Sequence, residues 1–107
     1  MNIESNMSAD DKQSAARQQL SGLRGQIDEI DNEILDVFVR RFEITKQVGR
    51  VKHAGGLAPE DPNREGAMYE RLREMAAQRD LEPDVVEDIY RALLSHVKRQ
   101  HRTIADQ

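Results

Sequence analysis

The sequence predicts an all-α fold of three helices per chain, one long and two shorter, working as a homodimer. Three observations carry this. Residues 20 to 52 hold a single apolar seam at spacings of three and four: Leu20, Leu23, Ile27, Ile30, Ile34, Val37, Ile44, Val48 and Val51. No strand pattern competes with it, because β-branched clusters such as Val85-Val86 sit inside helical periodicity. The seam is also too long to be covered from within. A helix from about Ser14 to Lys52 spans on the order of 57 Å, and the cover it needs is a second copy of itself.

Bulk properties narrow the function classes. The chain has 107 residues, 37% hydrophobic and 34% charged, a balance that suits long amphipathic helices around one domain. A formal net charge of −4 gives no overall basic field, so nucleic acid is not an expected partner. The chain has no cysteine, which excludes a disulfide framework and thiolate chemistry. The start, MNIESNMSADDKQ, is polar and acidic and lacks the basic and apolar regions of a signal peptide. No apolar run approaches membrane-spanning length. The expected protein is cytoplasmic, with no membrane association.

Taken in order, residues 1 to 12 read as a disordered tail and 13 to 107 as the helical domain. The long helix contains Gly22 and Gly25 but no proline. Gly55-Gly56 stops it, since glycine suits a left-handed cap. Asp61-Pro62 opens a second helix as N-cap and first helical residue, running to about 79, with Met68, Leu72, Met75 and Ala76 as its buried stripe. Glu82-Pro83-Asp84 opens the third, whose stripe is Val86, Ile89, Tyr90, Leu93, Leu94, Val97 and Ile104.

Arg41 occupies a seam position where the pattern calls for a hydrophobe. A buried unpaired guanidinium is costly. It either sets register through a salt bridge, with Glu33 or Glu43 of a partner helix, or it holds an anion. Lys52 lies three turns on, about 16 Å along the axis. It reads either as a solvated helix-end lysine or as the second half of an anion clasp. Arg24 lies about 25 Å before Arg41 on the same rod, so one small ligand cannot touch both within a chain. In an antiparallel dimer the partner's Arg24 can approach. Asp61, Arg64 and Glu65 read as capping with an exposed ion pair, or as an anion site at a helix N-terminus. His101 reads as a satisfied structural histidine, or as a donor into a pocket. His53, His96 and His101 make no metal-ligand spacing. Lys98, Arg99 and Arg102 form a small basic patch without interleaved aromatics, a weak signal for nucleic acid.

Together these residues resemble the all-helical class of chorismate mutase. The matching segments are LRGQIDEIDNEIL at 23 to 35, RRFE at 40 to 43, VGRVK at 48 to 52 and DPNRE at 61 to 65. The resemblance covers about residues 20 to 104 without gaps, and it is the combination that is specific. It implies an intertwined homodimer with two sites, each taking one arginine from the partner subunit. Arg24 would be that arginine, and with Arg41 it would bind the substrate carboxylates. Lys52 would contact the ether oxygen and a carboxylate. Glu65 would take the ring hydroxyl, helped by backbone near Asp61, and Arg64 would support the carboxylate end. Two positions depart from the family pattern. Val97 stands where a small hydroxyl residue is frequent, and His101 stands where glutamine or protonated glutamate donates to the ether oxygen. Gln100 is adjacent but about 100° round the helix.

The implied reaction is the Claisen rearrangement of chorismate to prephenate, in aromatic amino acid biosynthesis, with no metal or other cofactor. Alternatives are the same fold acting on 4-amino-4-deoxychorismate, or eliminating pyruvate from isochorismate. Glu65 argues against the lyase, since the family's lyases have an apolar residue there. A non-catalytic helical dimerisation module is the alternative from a different class.

Overall fold

Ser8 sets the start of the first helix. Its hydroxyl accepts the Asp11 N–H at 3.1 Å, and Asp10 and Asp11 place negative charge on the positive end of the helix dipole. The computed structural model describes residues 8–107. Among these, helix α1 runs Ala9–Ala54, α2 Pro62–Gln78 and α3 Pro83–Ala105. The helix therefore begins five residues before the Ser14 expected from apolar spacing, because a serine cap and two acidic residues suffice without a buried face. The expected tail over 1 to 12 is helical from Ala9, and its first seven residues lie outside the described residues.

Both internal helix ends close with the same hydrogen-bonding device. At the end of α1, Leu57 N–H donates to Lys52 C=O at 2.8 Å and Gly56 N–H to His53 C=O at 3.2 Å, with Gly56 at φ +67°. This is a Schellman closure with glycine in its left-handed position. At the end of α2, Leu81 N–H donates to Ala76 C=O at 2.9 Å and Asp80 N–H to Ala77 C=O at 3.2 Å, and the left-handed residue is Asp80 at φ 54°. α2 starts as the sequence predicts. Asp61 Oδ1 accepts the Arg64 N–H at 3.1 Å, and Pro62 occupies the first turn, where no backbone N–H is missed.

The chain divides into two units, residues 1–40 and 41–107. In the first, the described seam residues of α1 are exposed, Ile27 at 55% and Ile34 at 43%. The second unit packs the C-terminal part of α1 with α2 and α3 around Met68, Leu72, Ala76, Val97, Ile104 and the imidazole of His101, all buried. The stripe of α2 is thus Met68, Leu72 and Ala76, one residue every four. Met75, expected within it, lies 100° round the helix and is exposed. Ile89 of α3 is likewise exposed, on the wall of an apolar groove with Leu72, Met75, Leu81 and Tyr90.

Candidate active site

A cleft of about 180 Å³ opens in the second unit, walled by α1, α2, α3 and the loop before α2. Helix period explains its composition. Arg41, Thr45, Val48 and Lys52 recur at four, three and four residues, so they form one stripe on α1. Leu94, Lys98 and His101 do the same on α3, and Arg64, Glu65 and Met68 face them from the first turns of α2.

Arg41 is the focal charge. Its Nη1 is fully buried and has no hydrogen-bond partner, and its guanidinium carbon lies 5.7 Å from the Tyr90 ring centroid. Among the described residues no carboxylate lies within ion-pair distance of it. A cation–π contact does not replace a hydrogen bond, so Nη1 remains an unspent donor in the cleft.

Lys52 is half-buried, and its ammonium donates to Pro59 C=O at 3.1 Å. That bond fixes the ammonium on the cleft wall and leaves two of its three donors open. The same carbonyl lies 3.4 Å from Nδ1 of His101, and Nε2 of His101 is 2.7 Å from Thr45 C=O. The shorter contact takes the ring proton, so Nε2–H donates to Thr45 and Nδ1 faces Pro59. His101 descends this far because Gly49 has no side chain. A Cβ there would stand 2.8 Å from His101 Cδ2 and 2.9 Å from Ile104 Cδ1. Gln100 does not line the cleft. It accepts from Thr45 Oγ1 at 2.9 Å and donates to Phe42 C=O at 3.3 Å.

Two further charges of the cleft are paired across elements, Glu65 and Glu60. Lys98 Nζ lies 3.0 Å from both oxygens of Glu65, and Arg102 pairs with Glu60. The Arg102 hydrogen bond, with its charge, holds the Glu60 carboxyl below its ordinary value. The basic patch on α3 is thus largely spent on acids of the loop and α2. Spacing within α3 marks Lys98 as facing the same way as His101, but its partner lies 33 residues away and the sequence gives no sign of it. Val97 is buried and contributes apolar wall. Asp61 and Arg64 line the mouth, both exposed, the Asp61 carboxylate serving as the α2 cap. Arg24 is exposed on α1 in the first unit.

The profile of the chorismate mutase type II family matches residues 23–102. The chain belongs to that family. Every residue of the cleft falls within the stretch that matches chorismate mutase type II. A chorismate mutase of Methanocaldococcus jannaschii is 32% identical over 81 residues, which are 76% of this chain and 82% of that protein. The T-protein of Haemophilus influenzae is 39% identical over 75 residues, 70% of this chain. The T-protein of Enterobacter agglomerans is 37% identical over 76 residues, 71% of this chain. The chain spans 20% of the length of each T-protein.

Proposed function

We propose that the chain rearranges chorismate to prephenate, as a homodimer whose partner subunit lends Arg24 to the cleft. The observation that carries the reading is the buried, unpartnered Nη1 of Arg41 in a cleft shared with Lys52. A dicarboxylate supplies the counter-ion that the protein withholds. Family membership and the jannaschii relative point to the same substrate.

The reaction breaks one carbon–oxygen bond while a carbon–carbon bond forms, and negative charge grows on the ether oxygen. It needs no nucleophile, so the work left to the protein is geometry and electrostatics. Arg41 and the partner's Arg24 grip the two carboxylates, where the planar guanidinium fork gives paired hydrogen bonds. Held at both ends, the enolpyruvyl arm folds over the ring. Lys52 uses its open donors on the ether oxygen and the nearer carboxylate. His101 is the second donor to the ether oxygen. Since Thr45 holds Nε2–H, donation from Nδ1, the nitrogen beside Pro59, requires a second ring proton, so His101 acts as the imidazolium. Glu65 accepts from the ring hydroxyl, and Arg64 supports the carboxylate end from the mouth.

The homodimer rests on two surfaces. The α1 seam is exposed throughout the first unit, and the second carries the apolar groove of Met75, Ile89 and Tyr90. Contiguous apolar surface of this kind marks an interface.

The test is loss of chorismate ultraviolet absorbance with product identification, Arg41→Ala run beside the wild type. Prephenate from the wild type is expected, with kcat/KM at least about a hundredfold lower in the variant, the scale of an abandoned charge partner. Wild-type protein that folds and dimerises but leaves chorismate intact overturns the reading.

A further inference from the structure

We propose that Lys98 is a positioning residue that sets which ring substituent the cleft accepts: by neutralising Glu65, it favours a ring hydroxyl over a ring ammonium. The inference rests on the proposed reaction and names a determinant of its substrate class.

Glu65 lies in the first turn of α2, half-buried, and it is the cleft carboxylate assigned to the ring substituent. Alone it would be a full negative charge in a partly desolvated place, and its strongest ligand would be a cation. It is not alone. Lys98 Nζ sits 3.0 Å from Oε1 and 3.0 Å from Oε2, and the two side chains are only 35% and 25% exposed. Screening is weaker here than for a surface pair. Both oxygens lie against the ammonium.

Two consequences follow for an incoming ring. A carboxylate offers about four lone-pair positions. Lys98 donates to one oxygen and lies at ion-pair distance from the other, and the lone pairs that remain accept an O–H from a neutral hydroxyl without any change of charge. An allylic amine at the same ring position is protonated near neutral pH. It brings a second cation within a few ångströms of Lys98, and Glu65 has no net charge left to receive it. Arg41, Lys52 and Arg64 on the other walls add to that repulsion, and outnumber the cleft's other carboxylates, Glu60, which Arg102 holds, and Asp61, which caps α2. The selection works by penalising the wrong ligand, with little added attraction for the right one. Were the pair only a tether between α2 and α3, its loss would weaken turnover of both rings alike.

The experiment measures kcat and KM for chorismate and for 4-amino-4-deoxychorismate in wild type, Lys98→Met, Lys98→Gln and Lys98→Arg. The wild type is expected to favour chorismate. Lys98→Met and Lys98→Gln should reduce that preference by about tenfold or more, chiefly through a lower KM for the amine. Lys98→Arg should restore it. Glutamine keeps a hydrogen bond to Glu65 without the charge, so it tests the inference even if the methionine variant folds poorly. An unchanged ratio in the glutamine variant, or wild-type preference for the amine, overturns the inference. Wild-type failure on chorismate would instead overturn the reaction on which it rests.

Discussion

His101 illustrates how much of a site can hang on one position. Its place on the third helix is legible in the sequence: it follows Val97 by one turn and precedes Ile104 by one. Its surroundings are not, because its partners are the backbone carbonyls of Thr45 and Pro59, and the chain writes no signature for a carbonyl. The hollow that admits it is legible only in hindsight, as Gly49 inside a helix, where glycine usually costs about 1 kcal/mol against alanine. Arg41 is the opposite case. A charge in an otherwise aliphatic seam can be seen without coordinates, and the buried, unpaired Nη1 is what that position implies. The structure leaves His101 with a double task, holding Thr45 through one nitrogen and facing the cleft with the other. If the second task is donation to the ether oxygen, His101→Gln should stay within about tenfold of wild-type kcat, since an amide supplies an N–H. His101→Ala should lose on the order of a hundredfold, the scale of one missing donor. Equal rates in the two variants, with both folded by circular dichroism, would reduce His101 to its structural bond.

The helices themselves were largely readable, and their ends were readable wherever a special residue marks them. Asp61-Pro62, Glu82-Pro83 and Gly55-Gly56 fall at observed boundaries. Ser8 was the cap that apolar spacing passed over, because its helix turn buries nothing. The faces were less readable than the lengths. Met75 and Ile89 fit an apolar stripe as well as their buried neighbours do, and periodicity cannot say how wide a face the chain itself will cover. The end of α2 carries a correctable defect. Asp80 closes the helix in the left-handed region, which crowds a Cβ, and glycine removes that strain at some cost in unfolded-state entropy. Asp80→Gly should therefore raise unfolding free energy by roughly 0.5–1 kcal/mol. Urea midpoints at matched protein concentration measure this, and a lower midpoint at unchanged slope would show that the Asp80 side chain does more than fill a turn.

At the scale of the molecule, the sequence argues for two copies on length alone, and the described residues supply surfaces that fit that argument without naming their occupant. Leu20, Leu23, Ile27 and Ile30 stay exposed along α1, apolar surface of the kind that fits a partner helix. The decisive question is which chain's Arg24 serves which chain's Arg41. If the two act across subunits, Arg24→Ala and Arg41→Ala are each inactive as homodimers, because every site lacks one arginine. Refolded together in equal amounts, about half the dimers are mixed. In each mixed dimer one site takes Arg41 from the first variant and Arg24 from the second and is complete, while the other lacks both. Activity should return to about one quarter of wild type. If both arginines serve their own chain, no site in any dimer is complete and mixing restores nothing. Sedimentation of the same samples closes the argument, since a mixture that recovers activity as monomers would exclude the shared site however the rate compares.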